Sequence, residues 1–412
     1  MALAKSASHD VIASAHELVA LIPQIQAADR VALDTEADSL HSYREKLCLI
    51  QISAPAVAGI LDAGRERDEF ESRRDHPPSP GGYGVTGRSR LQRDFVVDPL
   101  STLDLEPLRH ALESKEIVLH AADYDLRMLR RGLNFTAGRI FDTVVAARLL
   151  GIREFSLGAL VKRFFGVELH KHSQKANWGL RPLPPRMLKY AVDDVHYLLP
   201  LAARLEEDLE RVQRRDWFRQ SCERAIELAA AERERIQDEL WRIGGAGALP
   251  PHTGAVLRAL WQWRETEAEL ADRPPFHILH NHELLKAAES FTSGQVPDYK
   301  YFSARRRQTF REAATIALQS PQSEWPIMRR RSGSRPTAEM RRRADQLRER
   351  RDKAAEQLGL ERSFIASRGA LEAIAADPAR ATALLVPWQR ELIGVEALRS
   401  GIKDPGYRVI TE

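Results

Sequence analysis

Five residues in three separate segments carry side chains that could do chemistry together. Asp34 and Glu36 lie in VALDTEAD, Asp125 lies in HAADYDLRML, and Tyr190 and Asp194 lie in LKYAVDDVHYL. Carboxylates gathered from distant segments into one pocket repel each other unless cations lie between them. The set therefore predicts a site for two divalent metal ions, and it indicates the hydrolysis of phosphodiester bonds.

Each of these segments predicts the element that positions its acidic groups. Asp34 and Glu36 are two residues apart in an apolar run typical of a central β-strand, so both side chains project from one face. In the second segment the strand IVLHAA runs into the helix DYDLRMLRR. There Asp123 is predicted to be the N-cap, and Asp125 falls in the first turn, where the helix dipole stabilises an ionised carboxylate.

The third segment has a strong helical pattern, so Tyr190 and Asp194, four residues apart, share a face. A phenol beside a metal-bound carboxylate can hold the attacking water and help steer its proton. Asp193 is an alternative ligand, because it lies three residues from Tyr190 and spacing alone does not choose between the two. Asp142, in IFDTVVAARLL, stands at a strand-to-helix junction and is predicted to be an N-cap rather than a ligand.

In order, spacing and flanking residues, these segments resemble the DEDD superfamily of 3′-5′ exonucleases, in its tyrosine-containing branch, and most closely the ribonuclease D family. The resemblance covers nearly all of the first half of the chain and implies an α/β domain with a ribonuclease H-like mixed sheet and flanking helices. It favours Asp125 over Asp123 and Asp194 over Asp193. It implies two Mg²⁺ or Mn²⁺ ions, with Asp34 bridging both, Glu36 and Asp194 at the ion that activates water, and Asp125 at the other.

The same resemblance implies the substrate, which is the 3′ end of a structured RNA such as a tRNA precursor. Lys171, Gln174 and Trp178 precede the third segment, where the family places contacts to the substrate. Asn177 departs from the family, which often has Asp before this tryptophan. The segment LWQWRETEAELADRPPF is similar to the HRDC domain, a helical module that helps to hold RNA.

The 412 residues predict two or three domains. We expect an exonuclease domain over 1–205, with a disordered insert at 64–94, and a helical connector over 206–245. An HRDC domain is expected over 246–325, a basic linker over 326–338, and a second HRDC-like module over 339–412. The second module is suggested by Leu358 and Phe364, which have the same separation as Leu270 and Phe276.

Composition agrees with a partner that carries regular negative charge. The net charge is only +4, but arginines cluster, and Arg305, Arg306 and Arg307 are predicted to contact phosphates. The two cysteines, Cys48 and Cys222, form no metal-binding spacing and no disulfide framework, which favours a cytoplasmic location. The longest uncharged run is too short for a membrane span, so no membrane is expected as a partner.

Two other functions remain open. A DNA exonuclease of the same fold is one, because discrimination depends on contacts to the 2′-hydroxyl that no motif encodes. The other is a catalytically silent RNA-binding protein that uses its helical modules for recruitment, although the complete set of acidic motifs argues against it.

Overall fold

The computed structural model describes residues 11–56, 92–169, 173–231, 239–328 and 336–395. An N-terminal α/β domain precedes two helical modules, as the sequence predicts. Among these residues, no helix combines the length and the apolar character that a bilayer crossing requires.

The α/β domain is built on a mixed sheet. Its described strands are β1 (Val11–Ile12), β2 (Arg30–Ala37), β3 (Leu47–Pro55), β4 (Gln92–Val97), β5 (Glu116–Leu119) and β6 (Arg139–Asp142). They lie in the order β1-β4-β3-β2-β5-β6. The pairs β2–β3 and β3–β4 are antiparallel, whereas β1–β4, β2–β5 and β5–β6 are parallel. The run AGILDA, whose apolar residues also predict a strand, and most of the insert predicted at 64–94 lie outside the described residues, but residues 92–94 belong to β4.

Helices pack on both faces of this sheet. They are α1 (Ala15–Gln26), α2 (Glu106–Glu113), α3 (Asp123–Leu133), α4 (Thr143–Leu149), α5 (Leu157–Phe165), α6 (Pro185–His196), α7 (Leu198–Arg211) and α8 (Arg215–Ala230). Helix α6 lies across β2, β3 and β4 and therefore covers the middle of the sheet on one face. Helix α8 packs against α3, α4 and β6.

The expected boundary after residue 205 is too early. It falls inside α7, which continues to Arg211, and α8 then adds Phe218, Cys222 and Ala229 to the same hydrophobic core as the sheet. Burial of these side chains makes α8 part of the α/β domain rather than a free connector.

The first helical module, residues 241–328, has a hydrophobic core of its own. Its helices are α9 (Pro251–Leu270), α10 (Pro275–Ile278), α11 (Asn281–Thr292) and α12 (Ala304–Leu318). Trp263 is buried in that core and donates a hydrogen bond from Nε1 to Thr309 Oγ1 at 3.0 Å, and Trp261 is half-buried against it. Both tryptophans therefore pack in the module, as an amphipathic helix predicts.

The second helical module, residues 338–395, packs against the α/β domain. Its helices are α13 (Ala338–Leu358), α14 (Arg362–Ile365), α15 (Arg368–Ala376), α16 (Ala381–Leu384) and α17 (Pro387–Leu392). Trp388 stacks on Trp217 of α8 with 5.0 Å between ring centroids, and its Nε1 donates to Ser221 Oγ at 3.0 Å. The second module and the α/β domain therefore share one continuous core.

The two modules repeat one arrangement 87 residues apart. Arg264 donates from Nη1 to Leu279 O at 3.2 Å, and Arg351 donates from Nη1 to Ala366 O at 3.1 Å. The buried side chains follow the same register, in the pairs Leu260 and Leu347, Ala268 and Ala355, Ile278 and Ile365, Leu284 and Leu371, and Ala288 and Ala375. The sequence match of Phe276 with Phe364 is therefore off by one residue, because the isoleucines fill the equivalent core positions.

Candidate active site

Three carboxylates from two elements meet above the centre of the sheet. Asp34 and Glu36 project from β2, and Asp194 projects from α6, which crosses the same face. One oxygen from each lies within 4.8 Å of the other two, and among the described residues these three form the group of acidic, histidine or cysteine side chains with the spacing of a metal site. A register shift between Glu36 and Ala37 ends the regular pairing of β2 with β3 beside them.

Asp125 enters the site from the open edge of β2. Strand β5 pairs with β2 only at Arg30–Ala32, and α3 brings Asp125 in beyond that point. Its Oδ1 accepts a hydrogen bond from Thr35 N at 3.0 Å and another from Thr35 Oγ1 at 2.6 Å. Because Thr35 lies between Asp34 and Glu36, these two bonds fix the second acidic segment to the first.

The carboxyl groups share an electrostatic environment that opposes their ionisation. Burial raises the pKa of Asp34 well above its ordinary value, and the charges of Asp125, Asp194 and Glu36 raise it further. Burial, together with the charges of Asp194 and Asp125, raises the pKa of Glu36 to about 9. Burial also raises the pKa of Asp125 and of Asp194 to about 7. Such mutual repulsion is what bound cations relieve.

Tyr190 stands one helical turn before Asp194, and its hydroxyl lies close enough to the Asp194 carboxylate to interact with it. Burial, followed by the negative charges of Asp194 and Glu36, raises the pKa of the Tyr190 phenol. The phenol therefore stays protonated and acts as a hydrogen-bond donor at the edge of the acidic group.

Three other aspartates near the site form ion pairs or helix caps instead of joining the acidic group. Asp193 pairs with Lys189 at 2.6 Å, and Asp123 pairs with Arg127 at 2.6 Å. Asp123 is not the N-cap of α3, because Ala122 occupies that position without a side-chain cap. Asp142 is the N-cap of α4, as predicted, and accepts from Val144 N at 2.8 Å. It also accepts from Ala122 N at 2.9 Å, so it holds the start of α3 as well.

The loop between β2 and β3, which the sequence analysis did not identify, contacts several segments around the site. This β2–β3 loop, residues 38–46, follows directly after the strand that carries Asp34 and Glu36. Glu45 accepts a hydrogen bond from the hydroxyl of Tyr124, the residue before Asp125. His41 Nε2 lies 3.2 Å from the carbonyl oxygen of Lys175, in the segment that leads to α6. The loop therefore continues from the first acidic motif, contacts the residue beside Asp125, and contacts the segment that leads to the third motif.

The β2–β3 loop also docks the first helical module. Tyr43 packs against that module's core, and its backbone N donates to Asp272 Oδ1 at 3.1 Å. Arg44 pairs with Glu269 at 2.9 Å. The first module is thereby held beside the acidic group.

The residues predicted to contact the substrate before α6 differ in how exposed they are. Lys171 lies outside the described residues, and Gln174 is exposed. Trp178 is only 1% exposed and lies beside Tyr190 with 6.0 Å between ring centroids, so its position favours packing over substrate contact.

The three arginines predicted to contact phosphates are engaged in ion pairs. Arg305 and Arg306 both pair with buried Glu267, at 3.1 and 3.0 Å, while Arg307 pairs with Asp298 at 3.5 Å. Of the three, the Arg305 side chain is the most exposed, at 63%.

The donor set fits hard divalent cations. Each of the four acidic groups offers carboxylate oxygens, which suit Mg²⁺ and Mn²⁺, and no sulfur or imidazole ligand takes part in the described group. The raised pKa values show that the buried carboxylates repel one another, which favours the binding of positive charge among them.

The comparisons with known proteins agree with this geometry. The 3′-5′ exonuclease family matches residues 10–73 and 82–210, and the HRDC domain family matches residues 253–292. The exonuclease match thus falls on the α/β domain, with its acidic motifs and tyrosine, and the HRDC match falls on the first helical module.

Curated relatives are named ribonuclease D. The chain is 33% identical to ribonuclease D of Pseudomonas paraeruginosa over 250 residues, which cover 57% of this chain and 64% of that protein. It is 29% identical to ribonuclease D of Sphingobium indicum over 284 residues, covering 68% of this chain and 64% of the relative. The aligned part of the chain thus spans 64% of the length of either relative.

A solved structure has the same fold. Escherichia coli RNase D, described as an exoribonuclease involved in structured RNA processing, superposes with a TM-score of 0.66 at 20% identity, over 96% of this chain and all of that one. The predicted fold class, a mixed α/β exonuclease domain followed by helical modules, is confirmed.

Proposed function

We propose that this protein is a metal-dependent 3′-5′ exoribonuclease that releases nucleoside 5′-monophosphates one at a time. The observation that carries the proposal is the meeting of Asp34, Glu36 and Asp194 within 4.8 Å, on the face that also presents Tyr190. Asp125, which is bonded to the strand between the first two, completes the four carboxylates that a pair of cations requires.

The carboxylates take separate roles in this proposal. Two divalent ions, Mg²⁺ or Mn²⁺, would supply Lewis acidity here and would lower the pKa of the attacking water. Asp34 would help to hold both ions, Glu36 and Asp194 would hold the one that activates water, and Asp125 would hold the other. The spacing of Asp34, Glu36 and Asp194 within 4.8 Å of one another, and the effect of the Asp125 charge on the pKa of Asp34, support this division.

Tyr190 is assigned to the attacking water. Its phenol stays protonated next to Asp194, so it orients the water by hydrogen bonding rather than removing a proton as a phenolate. In the reaction the water oxygen bonds to phosphorus and the bond from phosphorus to the 3′ oxygen breaks. The water gives up a proton, and the 3′ oxygen of the shortened RNA gains one.

We further propose that the substrates are structured RNA 3′ ends, such as those of tRNA precursors, in the cytoplasm. The helical modules at 246–325 and from 339 onward would hold the folded part of the RNA. Arg305, Gln174 and Lys171 remain proposed substrate contacts, and the docking of the first module on the β2–β3 loop supports a path from that module to the site. Cys48 and Cys222 are both free thiols, as a reducing compartment favours.

One experiment tests the activity and separates the alternatives. RNA labelled at its 3′ end and DNA of matching sequence are incubated with the protein in Mg²⁺ or Mn²⁺, and then with chelator. Metal-dependent loss of the RNA label is expected, with nucleoside 5′-monophosphate as product. Equal loss of the DNA label would favour a general exonuclease, and RNA binding without hydrolysis would favour a silent binder.

A further inference from the structure

Gln51 is a buried polar residue in the most apolar strand of the sheet. It lies in the middle of β3, which pairs on both edges and is buried from Leu47 to Ala54. Gln51 is 0% exposed, and neither its Nε2 nor its Oε1 has a hydrogen-bond partner. Leaving such a group unpaired opposes folding, so its presence calls for a physical reason.

The register of the sheet places this amide beside the candidate active site. Gln51 is directly opposite Asp34 in the antiparallel pair of β2 and β3. Residues opposite each other in such a pair project to the same face, with Cβ atoms roughly 4.5–5.5 Å apart. The carboxamide therefore lies on the face that carries Asp34 and Glu36, beneath α6, and is long enough to reach the Asp34 carboxylate.

Two other β3 residues, Leu49 and Ser53, project from the same face as Gln51 and allow a comparison. Leu49, opposite Glu36, is apolar. Ser53 is opposite Ala32, is 0% exposed, and also has a hydroxyl without a partner. Gln51 and Ser53 thus share burial, face and lack of a partner, but only Gln51 faces a carboxylate.

We propose that Gln51 is a positioning residue for Asp34: its Nε2, which has no partner in the metal-free arrangement, donates to the Asp34 carboxylate when divalent cations bind and so orients that carboxylate. A carboxylate that serves two cations must present both oxygens in fixed directions, and an outer hydrogen-bond donor supplies that constraint. The inference rests on the proposed function, since it assigns Asp34 to the cation site.

The test compares Gln51→Met, which keeps the length of the side chain and removes the amide, with Ser53→Ala as the matched control. Mn²⁺ affinity is measured by titration with electron paramagnetic resonance, and kcat and KM are measured on a short single-stranded RNA. In Q51M we expect Mn²⁺ affinity and kcat to fall by about 10–100-fold, as for outer ligand partners, with KM unchanged within about twofold. The S53A protein should match wild type in each respect.

Thermal unfolding separates positioning from a structural role. In chelator, Q51M removes a buried polar group that has no partner, so its melting temperature there should equal or exceed that of wild type. A lower melting temperature, or unchanged Mn²⁺ affinity and kcat, would overturn the inference. If wild-type protein degrades no RNA, the proposed function fails, and the Mn²⁺ titration still decides whether Gln51 acts on the cation site.

Discussion

Asp125 accepts both of its hydrogen bonds from Thr35 through one oxygen, Oδ1, and leaves Oδ2 for other partners. Thr35 projects from β2 between Asp34 and Glu36, on the opposite side of the strand. One residue therefore joins the helix that carries Asp125 to the strand that carries the other two carboxylates. The relative position of the proposed ligands depends on this contact.

Replacing Thr35 with valine should reduce catalysis without unfolding the protein. The backbone bond to Asp125 remains, but the 2.6 Å hydroxyl bond is lost. We expect a fall in kcat and in Mn²⁺ affinity of about 10–100-fold, because outer hydrogen bonds orient metal ligands. Thr35→Ser keeps the hydroxyl and should retain most of the activity. Similar kcat values for the two variants would show that the hydroxyl bond is dispensable.

The two adjacent aspartates of α6 should behave differently. Asp194→Asn removes a carboxylate that lies within 4.8 Å of Asp34 and Glu36, whereas Asp193→Asn removes the partner of Lys189. We expect D194N to lose at least about 10²-fold in kcat, since metal-ligand interactions are worth several kcal/mol in the transition state. The D193N protein should remain within about twofold of wild type. RNA binding, measured by gel shift in chelator, should survive in both.

Local periodicity predicted the parts of the site that depend on local structure. The two-residue spacing of Asp34 and Glu36 and the four-residue spacing of Tyr190 and Asp194 each indicate one face of one element, and the structure has those elements. The N-cap of α3 was predicted wrongly, because the group that holds its first residues is Asp142, 20 residues later in the chain. A local sequence pattern around Asp123 does not include Asp142 and so cannot predict this contact.

Long-range pairing also explains what the sequence did not reveal. Gln51 is a single polar residue in LCLIQISAP, and only the register of β2 with β3 places it opposite Asp34. The predicted boundary at residue 205 was too early. The sequence of α8 indicates an amphipathic helix but does not indicate that this helix packs on α3 and β6. Local sequence patterns predict the helices and strands, whereas the residues that contact one another across the protein depend on the tertiary fold.

The pH dependence of stability should change sign with added metal. Without cations, the raised pKa values of Asp125 and Asp194, about 7, and of Glu36, about 9, mean that the folded protein holds protons that the unfolded chain releases. Stability is then highest below the ordinary carboxyl pKa values and falls as pH rises through 7 and 9. Melting temperature in chelator should therefore decrease between pH 5.5 and 9.

Added Mg²⁺ should reverse this trend, because cations bind the deprotonated carboxylates. The increase in melting temperature caused by Mg²⁺ should be larger at pH 8 than at pH 5.5. The D34N protein serves as the control and should show a smaller increase at both values. An increase that is independent of pH in wild type would argue against carboxylates that must lose protons before the cation binds.

Arg351 should contribute to the stability of the second helical module. Its side chain is 11% exposed, and the guanidinium donates to the buried carbonyl of Ala366 at 3.1 Å and pairs with Asp352 at 2.7 Å. Arg351→Met leaves that carbonyl unpartnered, so we expect the free energy of unfolding to fall by about 1–3 kcal/mol in urea titrations. Arg348→Ala breaks an exposed pair with Asp345 and should change it by less than about 0.5 kcal/mol. Equal changes in the free energy of unfolding for the two variants would show that the buried hydrogen bond of Arg351 contributes no more than the exposed ion pair.

Tyr43 should govern how the first helical module is held against the α/β domain. Its side chain packs on the module's core, whereas the neighbouring pair of Arg44 and Glu269 is 80% and 56% exposed and therefore weak. Tyr43→Ala removes the apolar contact while leaving the backbone bond to Asp272 possible. We expect hydrolysis of short single-stranded RNA to stay within about threefold of wild type, since the carboxylates lie on β2, α3 and α6.

Hydrolysis of a folded RNA with a short 3′ tail should fall further in the Tyr43→Ala protein, by up to about tenfold. The partly buried Tyr43 contributes a docking contact of roughly 1 kcal/mol, and without it the module that holds the folded part is no longer oriented. Arg44→Ala is the matched control and should affect neither substrate, since an exposed ion pair contributes about 0–1 kcal/mol. The comparison uses kcat/KM for both RNAs in the same buffer. If Tyr43→Ala lowers both values equally, the β2–β3 loop acts on the carboxylates themselves, through its bond from Tyr124 to Glu45, rather than on the placement of the module.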